Sequence, residues 1–339
     1  MEKLAIVILN WNGRSLLEQF LPQLVQHTPD WAEIIIADNA STDNSLQWLS
    51  THYPAIRTVV NEKNYGFAEG YNIALKQIEA QYYCLLNSDI EVTPHWLDGI
   101  IEYMDTHAEI GICQPKLLSY CERQKFEYAG AGGGFIDKFG YPFCRGRIFS
   151  HTENDLHQYD DIREIFWASG ACMFVRSELY HQLGGLDPLF FAHMEEIDFC
   201  WRAQLKGEKI MYYPSSVVYH VGGGTLPKQS SRKTFLNFRN NMLLLYKNLP
   251  QKQFYYVSAC RLILDMVAAG LFLSQRHWGD FKAVFAARRA YRKMKVHYKT
   301  LRKTHPAHRV GNIYQKSIVW QHYAKRISLF TDLNSKDFD

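Results

Sequence analysis

Four short apolar runs near the start of the chain each stop at a cluster of Asn, Asp, Ser and Gly. Residues 4–9 end at Asn10-Trp11-Asn12-Gly13, and residues 33–37 end at Asp38 and the stretch to Asp43. Residues 56–60 end at Asn61 and lead into the segment from Asn64 to Asn72, and residues 82–86 end at Asn87-Ser88-Asp89. Apolar runs of this length bounded by turn residues read as buried strands. Between them lie stretches of helical period at 15–26, 43–53 and 67–80, the first opened by Ser15 and the second by Asp43 or Asn44 as cap. The alternation predicts an α/β fold: a mostly parallel, Rossmann-like sheet with helices on both faces. Ligands of such sheets collect at the carboxyl ends of the strands.

The pattern continues with a helix expected from Pro94 to about 107 and a strand at 110–114. Residues 117–167 break it, with glycines at 130, 132, 133 and 134 and no sustained helical period, and read as hairpins forming a lid-like insertion. Strand 171–175, helices 177–183 and 195–206, and strand 209–213 resume the alternation. Helices are then expected at 230–248 and 251–274. The division is therefore 1–229, made of a ligand-binding half (1–115) and a second half (116–229), followed by a helical, basic region, 230–339.

Charge supports that division. The net charge is only +4, yet eleven Lys or Arg fall between Arg276 and Arg309 against the single acid Asp280. Phe281, Val284, Phe285, Tyr291 and Met294 are interspersed among these cations. A basic amphipathic helix of this kind either lies on an anionic membrane surface or packs its apolar side on the core. No nucleic-acid-binding module accompanies the charge, so no nucleic-acid partner is expected. The seven cysteines are scattered, without a Cys-x-x-Cys pair, which fits a reducing compartment better than a disulfide framework. The first apolar run is too short for a signal peptide. The longest, 255–274, contains Arg261 and Asp265, so no transmembrane segment is expected. A cytoplasmic location follows, with peripheral contact at the inner face of the membrane as an option.

Each polar cluster alone is ordinary turn chemistry. Four at one edge of one sheet make a ligand cleft the better reading. Two other motifs are discounted. Gly130–Gly134 neither follows the first strand nor opens a helix, as a dinucleotide loop would. Asn39-Ala40-Ser41 has the letters of a glycosylation sequon but lies in the expected cleft.

The segments VILNWNG, IIIADNASTDNS, NEKNYGFAEGYNIAL, YYCLLNSDIEVTPHWL and the stretch from GACMFVRS to VVYHVGG occur in that order and cover nearly all of residues 3–224. In them the chain resembles the family 2 glycosyltransferases of GT-A fold, especially their bacterial rhamnosyltransferase-like branch. The resemblance implies an inverting transfer of a sugar from a nucleotide-diphosphate donor, dTDP-rhamnose or a UDP-sugar. The acceptor would be a hydroxyl of a saccharide or lipid-linked saccharide.

It also implies roles for residues. Asn10, Asp38, Asn64, Gly66 and Asn72 would build the nucleotide pocket, Asp38 as a carboxylate acceptor for a base N–H. Asn72 reads equally as a solvent-facing helix residue. Asn87-Ser88-Asp89 stands where the family has Asp-x-Asp, leaving Asp89 as ligand of Mn²⁺ or Mg²⁺, with Asn87 and Ser88 on the nucleotide side. His220 would be the second metal ligand. Glu195, Glu196 and Asp198 open one helix, where capping competes with catalysis as an explanation. The family's acidic pair is Glu-Asp and its second member is the base, which maps onto Glu196, a side chain longer by about 1.5 Å. Asp198 is the alternative base or an orienting partner, and Arg202 is placed to pair with it on the acceptor side of the sugar. Trp167 could stack on a sugar or sit in the core, and Gly170 would pack beside the donor sugar. Two competing readings are a nucleotidyltransferase, which would need a Gly-rich basic loop after the first strand, and a non-catalytic sugar-nucleotide or membrane-binding scaffold.

Overall fold

The computed structural model describes residues 2–222, 230–303 and 310–339. Its order begins β1 (Glu2–Asn10), α1 (Arg14–His27), β2 (Ala32–Asp38), α2 (Ser45–His52), β3 (Arg57–Val60), α3 (Gly66–Leu75) and β4 (Ala80–Leu86). β1 pairs in parallel with both β2 and β4, and β2 with β3. In-register pairing brings Asn10 level with Asp38, so the polar clusters share one rim. Leu4, Ala5, Ile6 and Val7 are all fully buried, as a strand covered on both faces requires.

Next come β5 (Ile90–Val92), α4 (Ile100–Thr106) and β6 (Ile110–Ser119). The expected helix from Pro94 is instead a turn, with His95 and Gly99 at positive φ, and the helix starts at Ile100. β12 (Cys172–Arg176), described below with its neighbours, inserts between β4 and β6, antiparallel to both. The large sheet is therefore mixed rather than mostly parallel. This reversal has a consequence for the rim. It sets Cys172 opposite Leu86 and lets the Asn87 N–H donate to the Ala171 carbonyl at 2.9 Å. The start of β12 thus lies beside the end of β4.

The stretch between β6 and β12 folds as expected into hairpins over β7 (Gly134–Asp137), β8 (Pro142–Cys144), β9 (Arg147–Ile148) and β10 (His151–Thr152), while β11 (Arg163–Glu164) instead joins the edge of the large sheet, antiparallel to the later strand at Met211 and Tyr212. After β12 follow α5 (Ser177–Gln182), α6 (Glu195–Leu205) and β13 (Lys209–His220). β13 runs well past the expected end at 213, with a register shift between Tyr213 and Val217. It pairs parallel to β6 and carries His220 to the rim beside Ile90.

The C-terminal region comprises α7 (Ser231–Asn248), α8 (Gln251–Ser274), α9 (Trp278–Met294), α10 (Lys299–Lys303), β14 (Ile313–Tyr314) and α11 (Ile318–Tyr323). The expected boundary at 229 lies outside the described residues, as do Gly223 and Arg309. Two differences from the expected helical appendage stand out. β14 joins the small sheet in the order β10-β9-β8-β7-β14, so the tail is not wholly helical. α7 is embedded: Asn240, Asn241, Lys247 and Asn248 are all buried in contact with the preceding core.

Gly99 marks the tightest point of the turn before α4. Its φ is +77°, and a Cβ there would lie 2.4 Å from the Tyr213 hydroxyl. Gly99→Ala is expected to cost about 1–3 kcal/mol, read as a lower urea midpoint with an unchanged slope; an unaltered midpoint would refute the steric account.

Candidate functional site

The rim begins at the end of β1. Asn10 donates from Nδ2 to Asp38 (2.9 Å) and to the Ser41 hydroxyl (3.1 Å), and Asp38 also accepts from the Ser41 N–H at 2.8 Å. Asp38 is fully buried with both oxygens engaged, so it shapes the loop instead of offering itself to a base. Asn10 Oδ1 is buried and has no partner among the described residues. A Cβ on Gly13 would lie 2.5 Å from that oxygen and 3.7 Å from the Ser88 hydroxyl, so Gly13 opens a gap joining the ends of β1 and β4. Trp11, about half exposed, stands at its edge.

Asn64 lies on the same side with its Oδ1 held by Asn39 Nδ2 and by the Gly66 N–H. Asn72 faces away: its Oδ1 accepts from Tyr180 (2.8 Å) and the Leu186 N–H (2.9 Å), and its Nδ2 donates to the Leu186 carbonyl at 2.7 Å. Neither earlier reading of Asn72 holds; it fastens α3 to the segment before α6.

Asp89 and His220 converge as expected. Nε2 of His220 lies 3.1 Å from Asp89 Oδ1 and 3.5 Å from Asn87 Nδ2. On its far side Nδ1 is 3.3 Å from Glu127 Oε1, an ion-pair distance without good hydrogen-bond alignment. Burial alone would lower the His220 pKa, but Glu127 and Asp89 reverse this and push it up to about 10. Burial likewise works to raise Asp89, and the His220 hydrogen bond and charge outweigh it, holding the carboxyl below its usual range. The pocket is thus built for positive charge. One carboxylate and one imidazole suit Mn²⁺ or Mg²⁺, and their 3.1 Å separation is that of adjacent ligands with bonds of about 2.1 Å. Glu127 escaped the sequence reading because it comes from the insertion, where no spacing links it to His220.

A second cluster with metal-ligand spacing, Asp155, His157 and Asp160, lies on the insertion. Its two carboxylates already hold the buried Lys116 ammonium, which balances half of their charge from within.

The acids of α6 divide into two kinds. Asp198 is fully buried and accepts from Arg202 Nε (2.7 Å), Lys247 Nζ (2.8 Å) and Asn248 Nδ2 (2.9 Å). Burial raises its pKa, and the Lys247 and Arg202 charges more than compensate, so it stays ionised and enclosed. A group so held cannot serve as the base. Arg202 pairs with it as expected and also donates to the Leu183 and Gly185 carbonyls, which ties it to the scaffold instead of to a sugar.

Glu195 and Glu196 instead each keep one buried oxygen without a partner among the described residues. Burial drives Glu195 well above the carboxylate range, with the Glu196 charge acting in the same direction. Burial also raises Glu196, to about 7, against the backbone N–H groups of Glu196 and Met194. Gly170 stands next to it, since a Cβ there would lie 3.3 Å from Phe67 and 3.8 Å from Glu196 Cβ. Trp167 is buried, its indole N–H donating to the Phe135 carbonyl at 2.9 Å, so it belongs to the core and stacks on no sugar.

The loop entering α6 is strained. Phe191, His193 and Met194 all have φ near +70°, a conformation costing about 1–3 kcal/mol per non-glycine residue. It is held from α7, where the Asn240 amide donates to the carbonyls of Phe190 (2.9 Å), Ala192 (2.8 Å) and His193 (2.7 Å). Asn240→Ala is expected to lower kcat about tenfold to a hundredfold with donor KM little changed, since loop placement and not donor binding is lost. Wild-type kcat in this variant would dismiss the clamp.

Residues 5–184 match the family model described as glycosyl transferase family 2. The chain is 24% identical over 232 residues to the N-acetylglucosaminyl-diphospho-decaprenol L-rhamnosyltransferase of Mycobacterium tuberculosis, covering 64% of this chain and 75% of that one. It is 24% identical to the rhamnosyltransferase WbbL of Escherichia coli K12, covering 63% and 82% respectively. In fold it is similar to GalNAc-T7, solved with UDP, GalNAc and Mn²⁺, at a TM-score of 0.58 and 16% identity, covering 88% of this chain and 58% of that one. The fold is that of the GT-A glycosyltransferases. With more than half its length matched by the family model, the chain belongs to glycosyl transferase family 2.

Proposed function

We propose that the protein moves a sugar from a nucleotide-diphosphate donor, dTDP-rhamnose or a UDP-sugar, to a hydroxyl of a saccharide or lipid-linked saccharide, with inversion, in cell-surface polysaccharide assembly. The observation that carries this reading is Glu196: a carboxylate raised to about 7, with a buried oxygen that has no partner among the described residues, beside Gly170 and on the rim that also holds Asp89 and His220. The rhamnosyltransferase relatives support rhamnose, and the decaprenol-linked substrate named for one of them supports a lipid-linked acceptor. Action in the cytoplasm, at the inner face of the membrane, suits both substrates.

In this reading the gap opened by Gly13, with Asn10, Asn64 and Ser88, receives the nucleotide, and Trp11 flanks it. The acceptor oxygen attacks the anomeric carbon as the bond to the diphosphate breaks, and its proton passes to Glu196. Glu195, kept neutral by burial, leaves Glu196 as the member of the pair that ionises near neutrality. Asp89 and His220 would hold a divalent ion, which supplies positive charge for the departing diphosphate. Asp198 positions the helix through Lys247 and Asn248.

The sign of the pH dependence follows. Only ionised Glu196 accepts a proton, so kcat/KM should rise with pH through about 7 and level off above it. Glu196→Gln should abolish transfer while sparing donor binding; turnover by this variant would remove Glu196 as base. Chelation of divalent ions should stop the wild type, and Asp89→Ala should lose about a hundredfold or more in metal-dependent turnover. Undiminished activity of Asp89→Ala would reject the ligand assignment. A panel of UDP, dTDP and GDP sugars with Mn²⁺, read by thermal stabilisation and hydrolysis, identifies the donor, and silence across it overturns the enzyme reading.

A further inference from the structure

α8 is built inside out. Its inner face carries a charged pair: Arg261 and Asp265 are both buried and bonded to each other at 3.3 Å. Arg261 also donates to Asn241 and to the Phe139 carbonyl, while Arg288 from α9 reaches Asp265 at 3.0 Å. Phe254, Val257 and Ala269 complete that face. The outer face is apolar. Every exposed position from 254 to 273 is an apolar or aromatic residue or glycine, with Tyr255 at 63%, Ile263 at 66% and Val267 at 56% exposure. A surface helix of a water-surrounded protein has the opposite arrangement. An apolar patch of this size marks a surface that contacts something other than water.

Charge says what that is. Among the described residues from 251 to 303 the acids are Asp265, which is buried, and Asp280, which is half-buried and accepts from the Thr234 hydroxyl at 2.6 Å. Lys252, Arg276, Lys282, Arg289, Arg292 and Lys293 are all exposed. Tyr255 and Tyr256 stand near one end of the apolar face and the exposed Trp278 beyond the other, residue types that settle at headgroup depth. We propose that the outer face of α8 lies in the plane of an anionic bilayer, its aliphatic side chains among the acyl chains and the surrounding cations at the headgroups. The same arrangement disfavours a second copy as the occupant, because pairing two such faces brings like charges together. A spanning helix is disfavoured as well. Although α8 is long and apolar enough by composition, its buried ion pair is satisfied only by packing against α7, α9 and the insertion.

The structure thereby separates two properties that the sequence merges in the basic segment. On α9 Ala283, Val284, Ala287 and Tyr291 are turned inward, and the exposed Lys282, Arg289, Arg292 and Lys293 outnumber the exposed Trp278 and Phe285, so α9 contributes mainly charge and α8 most of the apolar contact.

The proposal is tested with the full chain by flotation with vesicles of phosphatidylcholine containing about one third phosphatidylglycerol, compared with phosphatidylcholine alone. Wild type should float with the anionic vesicles and much less with the neutral ones. Combined Ile263→Ser, Val267→Ser and Leu271→Ser should weaken flotation about tenfold or more, with donor hydrolysis and thermal midpoint retained. Arg289→Glu with Lys293→Glu should abolish the preference for anionic lipid. Wild type that fails to float, or a triple-serine variant that floats equally well, overturns the proposal. So does a wild-type dimer in sedimentation that the triple-serine variant dissolves without any vesicle binding. No step needs a sugar donor, so failure here is distinct from failure of the enzymatic reading.

Discussion

The Asp198 carboxylate is the joint on which the site depends. It lies one turn into α6 and binds Arg202 on the same helix and Lys247 and Asn248 on α7. Lys247 also reaches Asp187, which receives the Tyr298 hydroxyl, so the network spans three parts of the chain. Removing one member of such a buried set leaves a charge uncompensated, which is far more costly than the net worth of the set when whole. The network therefore ties the acids of α6 to the region beyond residue 230. With Asn240 bound to the entry loop, that region is a structural part of the site.

Four carboxylates near the rim divide by their partners rather than by their depth, since all are largely buried. Asp89 and Asp198 face cations and remain below the usual range. Glu195 and Glu196 have no cation beside them and are raised by burial, with the Glu196 charge adding to the effect on Glu195. Separation of this kind is how one site keeps some carboxylates as fixed charges and another as a proton acceptor. In the loop before α6, His193 follows the same logic in reverse, held neutral near a pKa of about 4 by burial, with the Lys233 charge adding to it.

Much of this was legible in the sequence. The strands and the polar rim follow from apolar runs that end in Asn, Asp and Gly, because only a buried parallel strand needs such a run and only its end meets solvent. Asp89 and His220 were identifiable because each falls in a segment that resembles the family. Side-chain direction was not legible. Asn72, Trp167 and Asp38 belong to the expected motifs, yet each is turned to a partner distant in sequence or enclosed by its own loop. Glu127 and Asn240 lie outside every motif and reach the site only through contacts across some ninety residues in one case and about fifty in the other.

By itself, then, the sequence determined the elements and the identity of the rim, since periodicity and turn chemistry act locally. The tertiary structure decided which carboxylates are raised and which is locked in ion pairs, because burial and ion pairing depend on neighbours brought in from far along the chain. It also decided the orientation of α8. Its composition alone leaves open which side faces out, and the choice is made by Asn241, Arg288 and the Phe139 carbonyl, which hold the buried charges of Arg261 and Asp265 inward.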